Sequence, residues 1–495
     1  MSPKPRNASA RPSLLGRALG ALVKLVVTLF AVAVPLLGVW VATSLAVYLH
    51  GPLWLAIAAG VALALALPWA WELWAEARRN RPKKKPPERI LTRFDRLVLR
   101  TLALNLTFLA VVLFAYPRQG FTALSTRGDW MLGEQRGGAA DTVRDLLFAA
   151  AGGLEWLYDA ATDNRYAAYA DASPPPSPST PSPSPADGPA PADPLAPADP
   201  LAPGAAPWPL PPTLHPAVTA MPAAAQASLD AAGRYFAATV PNPRERVKAL
   251  HDFATLWLAY DAEGLAHDAL PPQDAESVFA ARKAVCAGYA RLLVALGERT
   301  GDHIVYLLGQ ARTAGGDLDG VGHAWNAVEL DGAWHLLDAT WDAGTVEGAT
   351  FTARYRTDYL FTPPAVFALD HFPEDPAWQL LATPLSRGDF LRQPALAPSF
   401  FARGLTLVSP TRSQTDVAAD AELVLDNPRG QWVLAVAVDR RSGAKLRCGE
   451  ATADPRPTLR CALPAAGRYQ VELFANAEQY GSFEGLGYVE VQRGG

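Results

Sequence analysis

"GHAWNAVELDGAWHLLDATWDAG", residues 322–344, decides how the centre of this chain folds. Two apolar runs flank Asp331-Gly332, and an Asp-Gly pair between such runs is a strong signal for a two-residue hairpin turn. With that turn, Leu330 faces Ala333 and Trp325 faces Asp338. His323 is two positions from Trp325 and shares its face. His323 and Asp338 are then diagonal neighbours within reach of each other. A register slip of one residue would send them to opposite faces, so the inference depends on the turn type. His335 falls on the other face and reads as a packed or surface histidine.

Working outward, "RKAVCAGYARLL" (282–293) contains Cys286 where a loop turns into a helix. Tyr289, Leu292, Leu293 and Leu296 line one helical face, and Gly301 closes the helix. "HIVYLLGQA" (303–311) reads as a strand, followed by a Gly-rich loop at 313–322. Upstream, Asn242-Pro243 starts a helix whose core stripe is Val247, Leu250, Phe253, Ala254 and Trp257. A second short helix covers 274–284. Helices beside an antiparallel hairpin make an α+β core, with domain limits at 215–395.

A carboxylate beside an imidazole fixes its tautomer and supports the imidazolium. A thiol within reach of that ring becomes a thiolate, the nucleophile–base–orienter logic of catalytic triads. The helix start at Cys286 favours negative charge there as well. An isolated cysteine also has a plainer reading as a small buried hydrophobe. Zinc would need four close ligands, or three and a water. One Cys and one suitable His converge here, so the expectation is no metal and no cofactor. His303 reads as structural. Asp342 reads either as a second carboxylate or as turn chemistry in "WDAG".

Three stretches carry a resemblance: "AVCAGYARLLVALGERTG", "GHAWNAVELDGAWHLLDATWDAG" and "DYLFTPPAVFALDHFPEDPAWQLL". In this order and spacing they resemble the transglutaminase-like core, a papain-like fold, most of all its kyphoscoliosis-peptidase branch. The likeness covers roughly residues 240–382. It implies Cys286 as nucleophile, His323 as base and Asp338 as the orienting acid. Trp325, Asn326, Trp341, His371 and Trp378 also match family positions and read as mainly structural, with Trp341 a candidate border of the cleft. Ala284 departs from the pattern, where glycine or a polar residue is common. The resemblance does not identify the oxyanion donors. The backbone N–H of Cys286 is the natural candidate and Gln273 a weak one.

Residues 396–495 alternate with period two. Trp432, Leu434, Val436 and Val438 share one face, and Tyr469, Val471 and Leu473 share another. Several short strands with turn signals suggest an antiparallel, immunoglobulin-like β-sandwich. Cys448 and Cys461 fall here, and one bond plus one reactive thiol fits three cysteines. Such a bond closes a loop of about a dozen residues and contributes on the order of 3 kcal/mol in the chain-entropy model.

The N-terminal quarter is different. Uncharged runs at 25–49 and 52–71, joined by "HGP" (50–52), place spans at about 25–49 and 52–72, and with a third at about 98–117 they approach the roughly 20 apolar residues that span a bilayer. They form an anchor over 1–118. Lys4, Arg6, Arg11 and Arg17, and the basic segment from Arg78 to Arg100, belong on the cytoplasmic side. A spanning third run exports everything after about residue 118; without it the remainder stays cytoplasmic. Residues 119–171 are a weakly helical juxtamembrane region. Residues 172–213 hold 17 of the 45 prolines and read as an extended spacer.

The chain thus reads as multidomain: N-terminal transmembrane helices, an α+β transglutaminase-like core and a C-terminal β-sandwich. Its expected place is the plasma or inner membrane, multi-pass, with the catalytic domain outside the cytoplasm. Its expected partner is a protein or peptide amide, a cell-wall peptide included; a net charge of −4 gives no sign of nucleic-acid binding. The leading function is a cysteine-dependent acyl transfer on amides, more a peptidase or amidase than a crosslinking transglutaminase. The rival is a non-catalytic envelope scaffold that uses the same domains to bind.

Overall fold

The computed structural model describes residues 14–49, 53–79, 91–133, 135, 137–170, 208–312 and 318–494. The His50–Pro52 turn, Lys4, Arg6 and Arg11, residues 80–90 of the basic segment, the linker as far as residue 207 and residues 313–317 of the Gly-rich loop lie outside the described residues. The chain divides into two compact units, residues 1–132 with 143–151, and residues 133–142 with 152–495.

In the first unit, Leu25–Tyr48, Trp54–Arg78 and Arg93–Ala115 are helices long and apolar enough to cross a membrane. Their outer surfaces carry Leu25, Phe30, Trp54, Leu65 and Phe114 exposed, the apolar surface a bilayer would cover. The third helix begins earlier than position 98. Thr92 and Asp95 form a capping box that satisfies its first N–H groups. Near that end Glu72 pairs with Arg96 at 2.8 Å and with Arg100.

The second unit holds the core around the hairpin. Its main helices are α1 (Pro243–Trp257), α2 (Ala275–Ala281), α3 (Cys286–Thr300) and the short α4 (Ala339–Ala343). Its sheet has β1 (Ile304–Ala311), β2 (Val321–Leu330), β3 (Ala333–Leu337), β4 (Leu360–Thr362) and β5 (His371–Pro373), in the order β4-β3-β2-β1-β5, every pairing antiparallel. Asp331 and Gly332 have φ of 53° and 76°, the left-handed pair that a type I′ hairpin needs. The ladder pairs Leu330 with Ala333 and Asn326 with Leu337.

α3 lies against β1 and β2 through Tyr289, Leu292, Leu293 and Leu296, which are buried with Val247, Leu250 and Phe253 of α1. Two buried polar groups fix its position. Asn326 Nδ2 on β2 donates to Ala290 O of α3 at 3.1 Å and to Val305 O of β1 at 3.0 Å. Tyr289 Oη donates to Leu258 O at 2.7 Å. The helix bearing the cysteine is therefore keyed to the strand bearing the histidine.

Further along, β6 (Ala395–Leu396), β7 (Thr406–Ser409), β8 (Thr415–Val417), β9 (Asp420–Asp426), β10 (Trp432–Asp439), β11 (Lys445–Arg447), β12 (Thr458–Ala462), β13 (Gly467–Asn476) and β14 (Glu484–Arg493) form two sheets around one apolar core. One runs β6-β14-β13-β10-β11 with β8 on β14; the other runs β7-β9-β12. The β8–β14 pairing is parallel, so this β-rich region is not wholly antiparallel as expected. Along β10 the small residues Val433, Ala435 and Ala437 are buried, while Trp432, Leu434 and Val436 are only partly so. Cys448 and Cys461 are joined by a disulfide that ties β12 to the chain leaving β11.

Candidate active site

Cys286 is the first residue of α3, and only 1% of it is exposed. The helix start has no side-chain cap of its own. Gln273 instead braces the incoming loop: its Oε1 accepts from Val285 N at 2.9 Å, and its Nε2 donates to Pro271 O at 2.9 Å. A role for Gln273 as an oxyanion donor would have to use its second Nε2 proton. The first-turn N–H groups at Cys286 remain the donors that a helix start leaves without intrahelical partners.

His323 stands on β2 and Asp338 at the end of the hairpin, as the N-cap of α4. His323 Nε2 donates to Asp338 Oδ2 at 2.7 Å. The Cys286 side chain is close enough to the same ring to act on its charge, and with Nε2 engaged by Asp338 it is Nδ1 that is left to face the thiol. Asp338 Oδ1 accepts from Thr340 N at 2.8 Å and Trp341 N at 3.2 Å. Helix, strand and cap thus bring the three side chains together, with the hydrogen bond between His323 and Asp338 at the centre.

The electrostatics follow. Burial works against a charged His323, but Asp338 and Cys286 outweigh it and push its pKa up to about 10. Burial alone would raise Asp338; His323 and His371 instead hold its carboxyl far below the usual range. At neutral pH the pair is an imidazolium on a carboxylate, with the other nitrogen presented to sulfur.

A second histidine enters that the sequence reading had set aside. His371 pairs with Ala311 at the β1–β5 edge, and Gly309 lets β5 approach: a Cβ there would meet Phe372 O and the Trp325 ring. His371 Nε2 lies 3.2 Å from Asp338 Oδ2, and its Nδ1 lies 2.6 Å from Asp370 Oδ1. Two histidines therefore converge on Asp338, which corrects the count on which metal was excluded. His323, Asp338 and His371 offer ligand atoms within 4.8 Å of one another, enough to surround an ion. The 2.7 Å between His323 Nε2 and Asp338 Oδ2 is a hydrogen-bond separation, shorter than the spacing of roughly 3.3 Å that two ligands about 2.05 Å from a tetrahedral zinc would need.

Tyr166, from a region given no function in the sequence reading, is 4% exposed and packs against Val285, Cys286 and Ala287. Its hydroxyl is close enough to the Cys286 and Tyr260 side chains for the three groups to act on one another. Tyr306 Oη donates to Tyr166 O at 3.1 Å, and Asn164 Nδ2 donates to Gly309 O at 2.9 Å. The segment 164–170 thus covers the sulfur. No local pattern marks it, because its partners lie more than ninety residues away.

Asp342 is buried and faces His251 Nε2 at 3.1 Å, so it is neither a turn residue alone nor part of the Cys286 chain. His335 is partly buried beside Phe361, and His303 is exposed on Glu329. The Trp341 ring lies 5.4 Å from that of His323. It borders a cleft of about 930 Å³ that His323, Tyr166, Arg356, Asp358 and Tyr488 also line.

A buried thiol, imidazole and carboxylate in series on an α+β core define a cysteine acyl-transfer type of fold. Residues 230–339 match the family model of the transglutaminase-like superfamily. Kyphoscoliosis peptidase of Mus musculus and that of Homo sapiens are each 34% identical over 182 residues, 34% of this chain and 27% of those proteins. The Lim and transglutaminase domain protein ltd-1 of Caenorhabditis elegans is 34% identical over 137 residues, 24% of this chain and 19% of that one. Residues 230–339 are thus a transglutaminase-like core, and the core is similar to that of the kyphoscoliosis peptidases. The chain spans only about a quarter of the length of those peptidases. A solved structure titled "Crystal structure of a TGase" is 22% identical over 26% of this chain and 32% of that one, with a TM-score of 0.19, too slight a likeness to bear on the fold.

Proposed function

We propose that this protein is a membrane-anchored cysteine enzyme that acts on amide bonds. Cys286 attacks the carbonyl carbon and forms a thioester. His323 holds the proton given up by the thiol and delivers it to the departing amine, while Asp338 holds the ring and its positive charge. Water then attacks the thioester, His323 accepts the water proton, and the acid leaves as Cys286 is restored. The observation that carries this reading is the buried grouping of Cys286 beside the His323–Asp338 pair. A wide cleft beside the ring gives water access and favours hydrolysis over transfer to an amine. A protein or peptide, cell-wall peptide included, is the substrate class.

The apolar outer faces of the three N-terminal helices support a multi-pass anchor in the plasma or inner membrane. The basic segments and the Cys448–Cys461 disulfide support an extracytoplasmic catalytic domain. An immunoglobulin-like role for the β-rich region in substrate docking is part of the same reading.

The 1% exposure of Cys286 is the observation that favours the rival, a binding scaffold. The two part on one experiment. Full-length protein in detergent is incubated with a peptide library, with and without a primary amine, and products are read by mass spectrometry. New termini lost in a folded Cys286→Ala variant support the enzyme. Amine adducts would replace the peptidase reading with a transglutaminase, and activity surviving Cys286→Ala would end both.

A further inference from the structure

We infer that His371 is a positioning residue of this site, holding Asp338 in the orientation that lets it serve His323. The inference rests on the Cys286 reading above. Asp338 Oδ2 receives two imidazoles, His323 at 2.7 Å and His371 at 3.2 Å. Its Oδ1 is held by two backbone N–H groups of α4. Without His371, the backbone pair restrains one oxygen and leaves the other to the mobile partner it is meant to steer. With His371, the carboxylate is gripped from both ends, and only the His323 contact is left to do chemistry.

His371 is itself fixed. Its other nitrogen lies 2.6 Å from Asp370 Oδ1, and Asp370 Oδ2 accepts from Tyr359 Oη at 2.5 Å. The ring is fully buried among Phe367 at 4.1 Å, Trp341 at 4.5 Å, Trp325 at 5.1 Å and Tyr359 at 5.5 Å. The ionisable groups that face it are Asp338, Asp370, Tyr359 and His323, whose ring centre is 5.5 Å away. A histidine needed only for volume would not be pinned at both nitrogens.

The test reads Cys286 itself and needs no substrate. Full-length protein in detergent is alkylated with iodoacetamide from pH 5 to 10, and Cys286 labelling rates are taken by mass spectrometry. His371→Phe keeps the aromatic packing and removes the donor. His371→Gln keeps an N–H. Asp370→Asn keeps the shape and loosens the grip on Nδ1. The expected result is a His371→Phe profile whose midpoint moves up by about one pH unit, with labelling at pH 6 about tenfold slower, the effect of losing one charge-assisted hydrogen bond. His371→Gln recovers to within about threefold of wild type. Asp370→Asn shifts the midpoint the same way by less, and decides the matter if His371→Phe does not fold. A vertical change in rate with an unmoved midpoint, or a Gln variant no better than Phe, assigns His371 to packing and overturns the inference. The Cys286 reading fails separately: wild-type protein would then label only as a free thiol does.

Discussion

Asn326→Ala tests the packing that brings Cys286 to His323. The Asn326 amide is 1% exposed and donates to Ala290 O at 3.1 Å and to Val305 O at 3.0 Å, so it clamps α3 to β1 from the middle of β2. A neutral buried hydrogen bond contributes about 1 kcal/mol net, so losing the two removes about 2 kcal/mol. The void left by the amide adds roughly 1 kcal/mol. Opening of the α3–sheet contact should therefore become easier by about 2–3 kcal/mol, roughly 30- to 150-fold. Cys286 reports this directly, because it is the free cysteine while Cys448 and Cys461 are bonded to each other. Native-state thiol labelling at fixed pH, scaled to the rate in denaturant, gives the opening equilibrium when closing outpaces labelling. Asn326→Asp should open further still, since it turns a carboxylate toward two carbonyl oxygens. An Asn326→Ala rate within threefold of wild type would refute the clamp.

Three further outcomes follow from the same geometry. Asp338→Asn keeps an oxygen to cap α4 but removes the charge, so burial should return His323 from about 10 toward or below its ordinary value. Cys286 alkylation near pH 6 should fall at least about tenfold, and an unchanged pH profile would count against the ion pair. Tyr166→Ala uncovers the sulfur and should raise Cys286 labelling about tenfold or more at one pH, whereas Tyr166→Phe, which keeps the ring, should change it little; equal rates for the two variants would mean that the ring is not the cover. Burial opposes a charged His251, yet Asp252 and Asp342 raise its pKa to about 9. A raised folded-state pKa contributes stability that is complete below about 6.5 and is lost as pH climbs through about 9. Thermal unfolding should therefore drop in midpoint across that window, less steeply in His251→Leu; identical slopes would remove His251 as a cause.

Much of the site was legible locally. A β-hairpin has a period of two and a turn set by two residues, so Asp331-Gly332 alone placed His323 beside Asp338. The start of α3 at Cys286 could be read from the stripe of Tyr289, Leu292, Leu293 and Leu296. The three apolar N-terminal runs were legible because composition and length are the whole requirement for crossing a bilayer. What stayed hidden depends on contacts with no local signature. His371 reaches Asp338 only because β5 joins the far edge of β1, and Tyr166 reaches Cys286 across 120 positions of chain. Gln273 serves the loop before α3 through one backbone bond, which its sequence neighbourhood does not announce. The sequence by itself determined the elements, the hairpin register and the identity of the thiol, imidazole and carboxylate, because those follow from periodicity and turn chemistry. Only the tertiary structure decided what grips Asp338 and what covers Cys286, because both rest on packing between segments that periodicity cannot relate.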